Sequence, residues 1–304
     1  MDTQPKPLTG KVALVAGATR GAGRAIAVAL GSAGATVYCT GRTTRSHISD
    51  IGRKENIDET AELVTAAGGK GIGIQVDHSK ESEVIALVER ITKEQNGQLD
   101  ILINDIWGGE TLSEWGKPFW ELSMEKGLLM LERAVFTHII TSRYAVPLMV
   151  ARGQGLVIEI TDGDSDNYRG NLVYDLAKAS VIRLALGMAS ELKPKGITAL
   201  ALTPGFLRSE QMLDYFGVTE ANWRDAIAKE PYFAASETPY FIGQAVVALA
   251  TDSNVISKSG KALATWHLAP EYGFHDADGS QPHWMNFYTA TRAAQEAKTQ
   301  SETH

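Results

Sequence analysis

Cysteine is almost absent: Cys39 is the only one in 304 residues. An internal disulfide is therefore excluded, and a reducing, cytoplasmic setting is expected. Cys39 sits in an apolar strand-like run, where it reads as a buried structural thiol. Basic clusters are missing too. No Lys/Arg run exceeds a few residues and the net charge is −7, which argues against nucleic acid as a partner. No apolar stretch reaches about 18 residues without a charge, so no membrane span is expected. The start of the chain, Met1 to Pro7, lacks an apolar signal core. His47, His78, His138, His267, His275, His283 and His304 show no ligand spacing, so no metal requirement is expected. Linkers, fixed-period repeats and low-complexity tracts are also lacking. Residues 1–304 are therefore read as a single domain with one large α/β core.

What is present is alternation. Strand-like runs at Val12–Ala16, Ala35–Thr40, Gly71–Val76 and Leu99–Asn104 are separated by helical runs at Ala22–Ala33, Ile57–Ala67 and Glu81–Gln95. In the last of these, Val84, Ile85, Leu87, Val88 and Ile91 form one apolar face. A long helix follows over Met124–Ala151, with Pro147 expected to kink it. Then come strand Leu156–Thr161, helix Tyr174–Lys193, strand Ile197–Thr203, helix Pro239–Ala250 and strand Lys261–Trp266. Strands joined through helices run parallel with right-handed crossovers. The expectation is a doubly wound, seven-stranded parallel sheet with helices on both faces. Two aromatic segments fall outside the alternation, residues 205–238 and a C-terminal extension over 269–304. The first reads either as a substrate lid or as packing.

Gly17-Ala-Thr-Arg-Gly21-Ala-Gly23 lies between the first strand and the first helix. Glycines there let the backbone turn tightly and let a phosphate approach, and the helix N-terminus offers free N–H groups and partial positive charge. This is a site for a dinucleotide pyrophosphate. Tyr174-Asp-Leu-Ala-Lys178 places a phenol and an ammonium one helical turn apart, at the start of a helix that follows a strand. A lysine so placed can grip ribose hydroxyls and lower the phenol pKa from about 10. Such a phenol can hand a proton to a carbonyl oxygen as hydride arrives from nicotinamide.

With both motifs in place, the chain resembles the short-chain dehydrogenase/reductase (SDR) family over about residues 6–266, which implies a Rossmann fold. Thr40-Gly-Arg42, Lys117-Pro-Phe-Trp120 and Gly153-Gln-Gly-Leu156 are similar to the branch of dehydrogenase/reductase SDR family member 1 and its bacterial relatives. The resemblance implies cofactor contacts at Gly17, Thr19, Arg20, Gly21, Ala22 and Gly23 of the glycine turn. It implies others at Arg42 and Thr43, at Asp77 and His78, and at Asn104. Tyr174, Lys178 and the Pro204-Gly205-Phe206-Leu207 turn complete the set, with Ser209 near the family's usual threonine.

Charge argues for NADP. The second strand ends Cys39-Thr-Gly-Arg42-Thr-Thr-Arg45, with no acid before Asp50 to accept from ribose hydroxyls. Arg20, Arg42 and Arg45 are placed to surround a 2′-phosphate.

Two positions depart from the family. Where it carries a catalytic serine, this chain has Thr161 and Asp162, and the nearest serine is Ser165. Where it carries an asparagine on the long helix, Ala134 stands. Thr161 or a protonated Asp162 can donate to a substrate oxygen, whereas an ionised Asp162 repels a developing oxyanion and raises the Tyr174 pKa. Alternatively, Asp162 caps a turn with Gly163 and points away. The expected catalytic set is Tyr174, Lys178, Asp162 and Thr161. The expected activity is NADPH-dependent reduction of a carbonyl on an apolar small molecule. Alternatives are reduction of an imine or activated C=C, or a catalytically weak NADP-binding regulator. A homodimer or homotetramer is expected, because Tyr174–Lys193 is apolar nearly all round.

Overall fold

Successive residues of the central strands are apolar on both sides, and the structure puts the two sets on opposite faces of one sheet. The computed structural model describes residues 6–164 and 167–302. Strands β1 (Val12–Ala16), β2 (Thr36–Gly41), β3 (Lys70–Gln75), β4 (Ile101–Asn104), β5 (Gly155–Ile160), β6 (Ile197–Thr203) and β7 (Ala262–Ala264) pair in the order β3-β2-β1-β4-β5-β6-β7. Every pairing is parallel. Ala13, Val15, Val37, Ile103, Ile158 and Leu200 face a core completed by α1 (Gly21–Ser32), α2 (Ile57–Ala66) and α8 (Pro239–Thr251). Val12, Leu14, Tyr38, Leu102, Val157 and Ala199 face the other core, completed by α3 (Glu81–Glu94), α5 (Thr137–Arg152) and α6 (Leu172–Leu192). Burial on both sides is what a parallel sheet requires, and each fully buried leucine or isoleucine contributes about 1.5–3 kcal/mol.

Between β1 and β4 the chain changes direction along the sheet, and the crevice outside their carboxyl ends is where such sheets receive ligands. The glycine turn follows β1, and residues 105–123 follow β4.

Two expectations about elements are corrected. The long helix is interrupted between α4 (Met124–Leu131) and α5 by a π-helical turn, Glu132–Phe136, while α5 runs on through Pro147. The Thr137 hydroxyl donates to the Arg133 carbonyl at 2.8 Å across this turn. By length and hydropathy the continuous run 124–152 could cross a membrane. Here, however, Ala134, His138, Thr141, Ala145 and Met149 are buried within the fold. The last strand also ends early: β7 stops at Ala264 and α9 (Thr265–Tyr272) begins at once, so Trp266 is helical and buried. Helices α7 (Glu210–Phe216) and α10 (Trp284–Glu302) complete the chain outside the alternation.

Candidate active site

Two glycines of the turn, Gly17 and Gly23, are held by contacts that leave no room for side chains. Gly17 has φ +90°, and a Cβ there would stand 2.3 Å from the Asp105 carbonyl oxygen. A Cβ on Gly23 would stand 2.2 Å from the Gly17 carbonyl oxygen. The turn thus folds against the end of β4, and Gly21 begins α1 with Arg20 as its N-cap. Arg20 contributes no side-chain cap, and its Nη1 is buried without a hydrogen-bond partner. A buried guanidinium nitrogen with nothing to bond is a place for an anion. Together the cradle and this orphaned donor fit a phosphate-bearing nucleotide. Thr19, Ala22 and Thr43 lie around the same turn. The Thr19 carbonyl accepts from Arg24 at 3.1 Å, the Thr43 carbonyl accepts the Ile57 N–H, and Ala22 is buried.

Arg42 reaches the same end of the cleft. It is paired with Asp50 at 2.9 Å while remaining substantially exposed. A hollow of about 520 Å³ opens beside it, with Asp77, Lys80 and Arg90 on its wall. Asp77 is fixed by the Ser79 N–H and hydroxyl. Arg45 is a correction. Its guanidinium makes two bonds to Glu62 on the outside of α2, at 2.7 and 2.5 Å, and does not join Arg20 and Arg42.

His78 and Asn104 are both turned inward. His78 bridges the Thr40 and Thr141 hydroxyls at 2.8 Å each, and burial pushes its pKa down to about 3, so the ring is neutral. The Asn104 amide nitrogen donates to Glu159 at 2.7 Å and to Ser142 at 2.9 Å. Asn104 and Glu159 are partners in the β4–β5 register, so the buried carboxylate claims the amide directly across the sheet. The His78 ring thus ties the end of β2 to α5, and the Asn104 side chain ties β4 to β5 and α5; both side chains are buried. Glu159 also meets His138 at 2.6 Å, and the other His138 nitrogen donates to the Ile106 carbonyl at 2.9 Å. This layer, which the sequence did not disclose, ties down the segment leaving β4.

Asp105 directly follows β4. It is buried beside the glycine turn, where it accepts the Gly23 N–H, and burial pushes its carboxyl up to about 7 against the pull of Lys178 and His138.

Tyr174 and Lys178 come together as the helical spacing requires. Asn171 caps α6 by accepting the Val173 and Tyr174 N–H groups at 3.1 Å each, which fixes the helix start under the phenol. Trp107 packs edge-on against the Tyr174 ring, with centroids 5.5 Å apart, and Trp115 lies 5.1 Å from it at a tilt. The Lys178 ammonium stands 4.2 Å from the Trp107 ring centroid and 5.7 Å from that of Tyr174. Burial draws the Lys178 pKa below its ordinary value, opposed by Asp162 and Asp105.

Asp162 faces the phenol, so the capping alternative is set aside. The Tyr174 hydroxyl donates to Asp162 Oδ2 at 2.7 Å, and the Asp162 carbonyl accepts from Arg169 at 2.5 Å. Burial, reinforced by Asp162, raises the Tyr174 pKa well above 10. This is opposite to the lowering expected from Lys178, because burial, with the Asp162 carboxylate at the hydroxyl, disfavours the phenolate. Thr161 is spent elsewhere: its hydroxyl donates to the Lys178 carbonyl at 2.8 Å and anchors α6 to β5. Ser165 lies outside the described residues.

The Pro204-Gly205 turn closes the cleft. Glu237 is fully buried beneath it and accepts the Gly205 N–H at 2.9 Å and the Thr265 hydroxyl at 2.8 Å. Phe206 packs against Phe233 and Trp284, and Leu207 bridges to Glu237. Trp284 also stacks against Tyr232 and Tyr288, so the two aromatic segments pack on one another. Beyond them, Glu210 reaches back to the Gly21 N–H at 2.9 Å.

The comparisons with known proteins agree with this arrangement. A family model described as short chain dehydrogenase matches residues 11–216. Dehydrogenase/reductase SDR family member 1 of Homo sapiens is 36% identical over 277 residues, covering 90% of this chain and 85% of that protein. A crystal structure of a short chain dehydrogenase from Mycobacterium thermoresistibile superposes with a TM-score of 0.75 at 22% identity, covering 91% of this chain and 92% of that one. Another, from Beutenbergia cavernae with bound NADP at low occupancy, gives 0.67 at 24% identity, covering 86% and 97%. This chain, with its glycine turn after β1 and its Tyr174–Lys178 pair on α6, belongs to the short-chain dehydrogenase/reductase family, whose members are oxidoreductases using NAD or NADP.

Proposed function

We propose that this protein is an NADPH-dependent reductase acting on a carbonyl of an apolar small molecule, with Tyr174 as proton donor. The observation that carries the reading is the Tyr174–Lys178 pair set beside the glycine turn and walled by Trp107 and Trp115. When bound, the reduced nicotinamide supplies the hydride. The glycine turn would hold the bridging phosphates, Arg20 and Arg42 would hold the 2′-phosphate, and Lys178 would hold the ribose hydroxyls. Asp50 yields Arg42 readily, since both partners are about half exposed and such a pair is worth at most about 1 kcal/mol. Hydride addition leaves negative charge on the substrate oxygen, and the phenol proton moves to that oxygen as the charge forms. A phenol held well above pKa 10 stays protonated at neutral pH, as a proton donor must.

Asp162 supports a second reading. Its oxygen accepts the phenol proton in a hydrogen bond, and a carboxylate also accepts an N–H from a protonated imine while repelling an oxyanion. Reduction of a C=N acceptor therefore stands beside carbonyl reduction. A screen of NADPH oxidation over ketones, aldehydes, quinones and cyclic imines tests both. Binding of NADPH without turnover of any of them would sink the enzymatic reading.

The assembly proposed is a homodimer or homotetramer, supported by Ile139 on α5, Phe136 beside it, and Leu176 and Leu186 on α6, all of them exposed. A cytoplasmic location is proposed from the near absence of cysteine, and neither nucleic acid nor membrane is proposed as a partner.

A further inference from the structure

A helix that begins a phosphate site normally waits with its first N–H groups free. Here one of them is taken. The Gly21 N–H donates to Glu210 Oε2 at 2.9 Å, from a residue 189 positions along the chain. The first turn of α1 has no acid of its own; besides the buried Asp105, which accepts the Gly23 N–H, Glu210 is the carboxylate at its positive end. Ser209 comes with it, its Cβ 3.8 Å from where a Gly21 Cβ would stand.

The helix carrying Glu210 is lightly held. No residue of α7 is buried, although Leu213 and Phe216 pack partly against Val218, Trp223 and Phe233. Its other tie across the cleft is ionic, from Asp214 to Arg53 at 2.9 Å. α7 starts five residues after Pro204-Gly205 and lies within the 205–238 segment, so its position and that of the turn over the reacting centre are linked by a short stretch of chain.

A carboxylate and a phosphate cannot share one N–H group at close range. We infer that Glu210 is a displaceable surrogate for the cofactor's bridging phosphate: the nucleotide ejects it, and its release frees α7 to open the substrate segment. This inference rests on the nucleotide reading of the glycine turn. It makes Glu210 a residue that sets nucleotide affinity without reacting.

The test is equilibrium binding to the wild type, Glu210→Gln and Glu210→Ala. NADPH and inorganic pyrophosphate are the phosphate-bearing probes, and 2′-AMP, which has no bridging phosphate, is the control. The alanine variant should bind NADPH and pyrophosphate tighter by on the order of tenfold, as expected for losing a competing charge at a helix N-terminus. The glutamine variant should fall between, since it keeps the shape without the charge. Affinity for 2′-AMP should stay within twofold. Amide exchange over 210–216 should rise when NADPH binds the wild type and should already be high in the alanine variant. Unchanged or weaker NADPH binding by Glu210→Ala, or exchange that slows over 210–216 on NADPH binding, would overturn the surrogate role. If no form binds NADPH, the nucleotide reading itself fails. The pyrophosphate arm then decides separately, with tighter binding by Glu210→Ala upholding the displacement and equal binding refuting it.

Discussion

The Tyr174 hydroxyl donates to Asp162 Oδ2 at 2.7 Å, from a residue twelve positions later in the chain. A phenol in this position ordinarily shares its site with a neutral hydroxyl. Here it shares it with an acceptor that holds the proton in place and raises the cost of losing it. Tyr174→Phe removes only the hydroxyl. Turnover should fall by about 10²–10⁴ while NADPH affinity stays nearly unchanged. Lys178→Ala should damage both, because the ammonium serves ribose and phenol together. Full activity of the phenylalanine variant on any substrate found by the screen would refute the assignment.

Replacing Asp162 by serine removes the charge that, after burial, raises the phenol pKa. The Tyr174 pKa should fall, so the rising limb of the oxidative pH–rate profile should move to lower pH. Imine reduction should suffer more than ketone reduction, since the serine hydroxyl can donate to an oxyanion but carries no charge for a cation. A profile that does not move would mean that Asp162 is not felt by the phenol in the working enzyme.

Arg42→Asp should weaken NADPH by about 1.5–3 kcal/mol, the worth of a charged hydrogen bond with added repulsion, and should leave NADH less affected. Calorimetric titration of both nucleotides into both proteins gives the comparison. Equal affinities of the wild type for the two would mean that Arg42 stays with Asp50.

Much of this site was legible because its parts are local. The glycine turn and the Tyr174–Lys178 pair are each contained within a few residues, and their spacing dictates their geometry. What stayed hidden depends on distant partners. The inward turn of Asn104 follows from its register with Glu159 on β5, and nothing near Asn104 announces that neighbour. Arg45 sits close in sequence to Arg42, yet Glu62 on α2 draws it outside. The direction of Asp162 was open because Asp-Gly makes a turn whichever way the carboxylate points. Trp266 was read as strand because its run is apolar, and the buried face of a short helix carries the same signature.

Glu237 gives a stability prediction with a definite sign. Burial pushes its carboxyl from 4.5 to about 8, so the fold favours the protonated form. A raised folded pKa means that this group's contribution is complete below pH 4.5 and is lost as pH rises toward 8. Glu237→Gln keeps an oxygen for the Gly205 and Thr265 donors and does not titrate. Its stability relative to wild type should therefore grow from pH 4.5 to 8, by on the order of 5 kcal/mol, and level off above. Urea unfolding of both proteins across that range measures it, and a constant difference would contradict the pKa.

Light scattering at micromolar concentration should give a multiple of the 32.8 kDa chain mass. Leu176→Glu with Leu186→Glu should shift it toward the single-chain value, since both side chains are exposed on α6. A wild type that scatters as 32.8 kDa would refute the proposed assembly.

Gly205 and Trp284 stand 79 positions apart, yet a Cβ on Gly205 would meet the Trp284 Cβ at 2.7 Å and Glu237 Oε2 at 3.0 Å. Its backbone is not in the left-handed region, so space alone keeps this residue a glycine. Descendants of this sequence are therefore not free to vary the two sites independently. A larger residue at 205 becomes admissible only in lineages that have first shifted the backbone carrying Trp284, since the atom in the way is its Cβ, and in which Glu237 also gives way. The end of the chain thus enters the inheritance of the active site through a glycine.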